Sequence, residues 1–260
     1  MIRLLALHGY TQNAHIFSKK LGAIRKACAK DIEFVFVDAP IVLQPADLPG
    51  ASLAEFDSEA SPAQWVDDPK LTARAWWRAN DEKTEYFGLE ESLRFLRGVL
   101  EQGKFNGVLG FSQGACMAAY LCAYLEEPSI EPIFNPSPHP AFDFAILISG
   151  FAPTCPPIEH HIRAKSVHVL GKTDTVVSNK RSETLFDICI NPRVEYHEGS
   201  HYVPSKASWR HFLHQWMRAF EPDSVMKPDD VASPFASSGD DTPSGAQTPV
   251  SGTMTPRGVL

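Results

Sequence analysis

This 260-residue chain has no basic cluster to set against its formal charge of -7. That balance argues against a nucleic-acid partner, because phosphate binding draws on concentrated Lys and Arg. Long hydrophobic runs are also missing. No stretch approaches the roughly 20 apolar residues of a membrane span. The apolar start, Ile2 to Leu7, is broken by His8 and Gly9, and no small-residue cleavage site follows. It reads as a first core strand and not as a signal peptide. Cysteine is sparse. Cys28, Cys116, Cys122, Cys155 and Cys189 are odd in number, scattered and without a C-x-x-C. This suits a reducing compartment, so a cytoplasmic or also nuclear location is expected. Oligomeric state leaves no mark in the sequence.

What is present is ordinary for a folded enzyme-sized domain. The hydrophobic fraction is 43%, and the length fits one α/β domain with a full core. Strand-like runs at Ile2–Leu7, Glu33–Val37, Gly107–Phe111, Phe142–Ser149, Ser166–Leu170 and Arg193–Tyr196 alternate with helical patterns. The helices are expected around Ile16–Ala29, Leu89–Glu101, Ala115–Leu125, Asn179–Ile188 and Ser205–Phe220. Such alternation with apolar strands predicts a mostly parallel sheet with helices on both faces.

Two segments depart from that rhythm. Residues 41–87 form a long irregular insert that carries Phe56, Trp65, Trp76, Trp77, Tyr86 and Phe87. A connection of this length inside a domain is usually functional. Trp76 and Trp77 either wall a substrate pocket or plug the core edge, with equal weight. Pro128–Pro140 is a second proline-rich loop, suited to an entrance rim. From Pro222 to Leu260 the composition turns to Pro, Ser, Thr, Gly and Asp, with Phe235 as sole aromatic. Such a stretch buries too little apolar surface to offset chain entropy. The expected division is a domain over 1–221 and a disordered tail over 222–260. The tail holds four Ser/Thr-Pro pairs, at Ser233, Thr242, Thr248 and Thr255, open to proline-directed phosphorylation.

Gly110-Phe111-Ser112-Gln113-Gly114 matches G-x-S-x-G. By composition alone a pentapeptide of this form arises in roughly one such chain in ten. Its context is more telling: a buried strand precedes it and a nearly all-apolar helix follows. Strand, sharp turn and helix make a nucleophile elbow, the hallmark of an α/β-hydrolase fold. Side chains in place of the glycines would clash with the neighbouring strand and helix. The helix N-terminus brings free N–H groups to where negative charge develops.

A serine hydroxyl needs a base to take its proton and a third group to orient that base. Asp174 follows the apolar run Val167–Leu170 across a glycine turn, which puts it at the carboxyl end of a strand. Helix capping is its alternative use. Asp143 and Asp187 are rivals, but both sit inside predicted elements. His201 follows the last strand and precedes the closing helix, the position expected for the base. His211 and His214 lie on that helix and suit packing or surface roles. The oxyanion donors are expected to be the backbone N–H groups of Gln113 and Tyr10, the latter in the loop after the first strand. His8 supports that loop.

His197-Glu198-Gly199-Ser200-His201 also fits the H-E-x-x-H zinc motif. That motif requires a helix, which a preceding strand, Gly199-Ser200 and Pro204 all disfavour. No third ligand is evident, so neither metal nor cofactor is expected.

Five blocks occur in order: Leu7-His8-Gly9-Tyr10-Thr11-Gln12-Asn13, Val37-Asp38-Ala39-Pro40, Arg74-Ala75-Trp76-Trp77, Gly107 to Gly114, and Gly199-Ser200-His201-Tyr202-Val203-Pro204. Together they resemble the FSH family of serine hydrolases over about residues 2–220. The resemblance implies a Ser112, Asp174, His201 triad and a small-molecule ester or thioester substrate, often with an apolar acyl chain. Acyl-protein thioesterases share the G-F-S-Q-G elbow but usually carry H-G-L-G-D where this chain has His8-Gly9-Tyr10-Thr11-Gln12. Three functions are therefore expected in order. They are an ester or thioester hydrolase, a thioesterase releasing a carrier-bound acyl or polyketide chain, and a hydrolase-fold binding protein without turnover.

Overall fold

The computed structural model describes residues 1–44 and 70–235. In chain order its first elements are β1 (Ile2–Leu7), α1 (Ala14–Lys20), α2 (Gly22–Cys28), β2 (Ile32–Val37), β3 (Ile41–Val42), β4 (Arg74–Ala75), β5 (Arg78–Ala79) and β6 (Tyr86–Phe87). They continue with α3 (Leu89–Glu101), β7 (Gly107–Phe111), α4 (Gln113–Glu126), β8 (Phe144–Ile148), β9 (Lys165–Gly171), α5 (Asn179–Phe186), β10 (Arg193–His197) and α6 (Ala207–Arg218).

The strands expected from apolar runs all form, and they pair in one sheet ordered β10-β9-β8-β7-β1-β2. Every pairing in it is parallel. Along β1 the side chains alternate between two cores. Leu5 and Leu7 join one, while Ile2, Leu4 and Ala6 join the other. The first core lies under α3 and α4, and the second under α1, α2 and α6. A strand covered on both faces has no solvent side, which explains the continuous apolar runs. α4 is buried at every position from Gln113 to Leu125. It lies between the sheet and neighbouring elements, so its sequence shows no polar stripe. Among the described residues no helix is long and apolar enough to cross a membrane.

Because the strands are parallel, their carboxyl ends share one edge, where loops carry function. β1, β7, β8, β9 and β10 deliver respectively the segments starting at His8, Ser112, Ser149, Lys172 and Glu198 to that edge.

Three details differ from the sequence expectation. The stretch at Ile16–Ala29 is two helices, broken at Leu21, whose ψ of 3° departs from the helical value. The insert contains two small antiparallel pairs, β3 with β4 and β5 with β6. Strands of two residues carry no readable periodicity. Finally, the chain stays packed beyond residue 221. Lys165 Nζ meets Asp229 Oδ1 at 2.8 Å, and Arg193 donates to the Pro228 carbonyl at 3.0 Å. Val231 is buried, Ser233 Oγ donates to Glu195 Oε2 at 2.8 Å, and Phe235 sits edge-on to Trp209. Residues 222–235 thus extend the domain along β10. Phe56, Trp65 and residues 236–260 lie outside the described residues.

Candidate active site

Ser112 sits between β7 and α4 with φ 53° and ψ -117°, in the left-handed half of backbone space. A non-glycine residue there is strained and persists only when its surroundings hold it. Here the Ser112 N–H donates to the Ile148 carbonyl at 2.8 Å, which pins the turn to the end of β8. The flanking glycines are sterically required. A Cβ on Gly110 would strike the Gly114 carbonyl, and one on Gly114 would strike the carbonyls of Leu7 and His8. The elbow is therefore pressed onto the end of β1.

The loop after β1 is held just as closely. Gly9 approaches Phe111 so nearly that an added Cβ would lie 2.9 Å from its ring. The Ala39 N–H donates to His8 Nε2 at 3.0 Å, so Nδ1 carries the proton and donates to the Gly9 carbonyl at 2.8 Å. Burial lowers the His8 pKa to about 4, which keeps this neutral tautomer in place. Gln12 Oε1 accepts from the Gly9 N–H, and Asn13 Nδ2 donates to the carbonyls of Lys70 and Thr72, both at 3.0 Å. Gln113, first residue of α4, has no carbonyl four residues back within its helix for its own N–H.

The Asp and His loops are laced together by backbone. Lys172 N–H donates to the His197 carbonyl and Thr173 N–H to the Gly199 carbonyl. Within that frame Asp174 Oδ2 accepts from His201 Nδ1 at 2.8 Å, and Oδ1 accepts from the N–H groups of Val176 and Val177 at 3.0 and 2.9 Å. Both side chains are almost fully buried. Burial alone would raise the Asp174 pKa. The His201 contact and the Val177 N–H outweigh it, and the net shift is downward. The His201 ring packs 4.8 Å from the ring of Phe111, the residue before Ser112. Asp174 and His201 thus meet at the carboxyl edge of the sheet, with the imidazole packed on the residue before Ser112.

The profile of the serine hydrolases called FSH1 matches residues 1–213. The chain belongs to the FSH1 serine hydrolase family. Esterase OVCA2 of Danio rerio is 35% identical over 237 residues, spanning 85% of this chain and 98% of that protein. Among solved structures, esterase PE8 superposes with a TM-score of 0.56 at 17% identity, covering 85% of this chain and 93% of that one. Acyl-protein thioesterase 2 of Zea mays gives 0.54 at 18% identity, over 84% and 93%. At such identities these two likenesses speak for the α/β-hydrolase fold.

In this FSH1-family serine hydrolase the tryptophans settle on the core side of the two expected uses. Trp76 is 0% and Trp77 3% exposed, so neither presents an open pocket wall. Trp76 Nε1 donates to the His8 carbonyl at 2.9 Å. The Gln113 side chain, to which the sequence assigned no role, accepts from the Trp76 N–H at 2.9 Å and donates to the Trp77 carbonyl at 2.8 Å. It pairs with that backbone much as a strand would, and couples the insert to the elbow. No sequence signal marks a glutamine for this.

The rival groups are elsewhere. Asp143 receives only a long 3.4 Å contact from Asn106, at the opposite edge of the sheet. Asp187 caps the end of α5. His214 binds Asp31 at 2.7 Å, and His211 is exposed on the same helix. His197 ends β10 and accepts the Gly199 N–H on Nδ1, while its ring meets Tyr202 and Trp209. The H-E-x-x-H run is therefore strand and turn. Among the described residues no group of three or more His, Cys, Asp or Glu is placed to hold a metal ion. Cys116 and Cys122 are buried thiols whose pKa values burial pushes up, so they stay protonated in the core.

Proposed function

We propose that this serine hydrolase cleaves carboxylic esters or thioesters with an apolar acyl stem, through a covalent acyl-enzyme on Ser112. Ser112 Oγ attacks the carbonyl carbon while His201 Nε2 takes its proton. The backbone N–H groups of Tyr10 and Gln113 receive the oxyanion. Collapse of the tetrahedral adduct breaks the bond to the leaving group, which takes the proton from His201. Water, deprotonated by the same imidazole, then frees the acid and restores the serine. Asp174 holds Nδ1 protonated and stabilises the charged ring.

The observation that carries this reading is the buried 2.8 Å Asp174–His201 contact, with the His201 ring packed on Phe111 next to a strained Ser112. The oxyanion assignment draws support from the crowding of Gly9 and Gly114 at the elbow. The test is labelling with a fluorophosphonate, with mass mapping of the adduct, beside turnover of matched ester and thioester series. A carrier-bound thioester is included, since biosynthetic release is a narrower form of the same chemistry. Wild type is expected to carry the adduct on Ser112, and Ser112→Ala and His201→Ala to lose it together with turnover. Full turnover by Ser112→Ala refutes the assignment. A well-folded wild type that neither labels nor turns over returns the pocket to ligand binding.

A further inference from the structure

Arg181, on α5, is half-buried and differs from the ion-paired arginines. Arg3, Arg94, Arg97, Arg163, Arg193 and Arg218 all meet carboxylates. Among the described residues the Arg181 guanidinium meets neither a carboxylate nor a carbonyl. Its one close partner is the Phe151 ring, 3.8 Å from Cζ to the centroid. Removing a guanidinium from water is costly, and an aromatic face offsets only part of that. The five N–H donors lie in a plane suited to a carboxylate fork.

The packing of Phe151 and Gly150 places this group beside the elbow. Phe151 follows Ser149 and Gly150. The Ser112 N–H donates to the Ile148 carbonyl, just before that pair, and Gly150 packs so close to Ala115 and Leu185 that an added Cβ would clash with both. Cys116 lies within electrostatic reach of Arg181, and its N–H donates to the Ser112 carbonyl at 3.2 Å. Tyr86, also within reach, stacks on Trp77, whose carbonyl the Gln113 side chain holds. The Tyr86 hydroxyl is engaged with Thr154 Oγ1 at 2.9 Å, so it supplies no counter-charge.

We infer that Arg181, backed by Phe151, forms an anion subsite of this active site, and that the favoured ester or thioester carries a carboxylate beyond its apolar stem. This rests on the esterase reading above. An apolar stem would run past Phe151 and Tyr86, and its terminal carboxylate would take the donors that no described residue engages. A charge-assisted bidentate pair at a half-buried site should be worth about ten- to hundred-fold in kcat/KM.

The experiment compares mono-p-nitrophenyl adipate with p-nitrophenyl hexanoate, and 4-carboxyphenyl hexanoate with phenyl hexanoate. The first pair puts the carboxylate on the acyl side and the second on the leaving group. Wild type, Arg181→Gln and Arg181→Lys are assayed on all four. Arg181→Gln is expected to lose about ten- to hundred-fold in kcat/KM on the acidic member of one pair, while the neutral esters change less than about two-fold. Arg181→Lys should keep part of the preference, because a point charge survives without the fork. Equal losses on acidic and neutral esters, or no loss on either, overturn the subsite. Calorimetry of adipate binding to the Ser112→Ala protein, with and without Arg181→Gln, separates the two readings. If no ester turns over, the esterase reading fails while adipate binding still decides the subsite.

Discussion

Replacing Asp174 by Asn tests the orientation of His201 with almost no change in shape. The outcome follows from the two oxygens having different partners. Oδ1 receives two backbone N–H groups, from Val176 and Val177, so the amide oxygen of an Asn is held at that position. The NH2 group must then face His201 Nδ1, where the native carboxylate accepts at 2.8 Å. A donor there forces Nδ1 to become the acceptor, and the ring proton moves to Nε2. An imidazole protonated on Nε2 has no lone pair for the serine proton. The same isosteric change in other triads lowers kcat about 10⁴-fold, or ~5 kcal/mol of barrier. Folding should suffer far less, about 1–2 kcal/mol, because both Val N–H bonds survive and only one charge-assisted bond is lost. Asp174→Ala should lose activity to a similar degree but more stability, since it also strips the acceptor from Val176 and Val177. The assays are p-nitrophenyl ester turnover between pH 6 and 9, fluorophosphonate labelling rates and urea denaturation. An Asn variant keeping more than about a tenth of wild-type kcat would refute the argument, since a forced tautomer cannot cost so little.

Gln113→Leu should leave the Trp76 N–H and Trp77 carbonyl buried and unpaired, at about 1–3 kcal/mol each. Because the same side chain ties the elbow to the insert, kcat should also fall, about 10²-fold if the oxyanion donor moves by an ångström. Wild-type turnover in this variant would show that the clamp is only structural. Acid should weaken the fold. His8 and His168 are neutral in the core, with pKa values lowered by burial to about 4 and about 3 from 6.5. The unfolded chain takes up their protons first, so stability is full above about pH 6.5 and declines toward pH 4. Urea midpoints at pH 8, 6, 5 and 4 should trace that slope, and His168→Gln should flatten it. A midpoint constant from pH 7 to 4.5 would contradict it.

The sheet was readable because β7, β8 and β9 are covered on both faces, and a short apolar run without a polar face is what a doubly covered strand requires. Ser112 was readable because an elbow needs glycines at fixed spacing. Asp174 and His201 followed from their places after strands, since chain order alone puts such loops at one sheet edge. What escaped were polar side chains that bind distant backbone. Gln12, Asn13 and Gln113 look like any surface amide in sequence, and their partners lie far along the chain or across a loop. Trp76 and Trp77 could be read equally as pocket wall or core plug, because a Trp pair suits either and only the packed neighbours decide. The stretch 222–235 was masked by averaging, because two apolar anchors, Val231 and Phe235, are diluted in a segment rich in Ser and Pro.

The neck of the insert has a bearing on how such enzymes diversify. The chain departs after β3 and returns at Lys70, and the gap is stapled shut. Leu43 N–H donates to the Ala73 carbonyl at 2.9 Å, Ile41 pairs with Ala75, and Arg74 N–H donates to the Gln12 carbonyl at 3.0 Å. Nothing in those bonds depends on the identity of the residues between. In general, the closure cost of a connection grows by only about 0.6 kcal/mol for each doubling of its length. The neck therefore acts as a socket. Segments of other lengths and compositions could be exchanged there by insertion or recombination, while the catalytic edge beneath keeps its register.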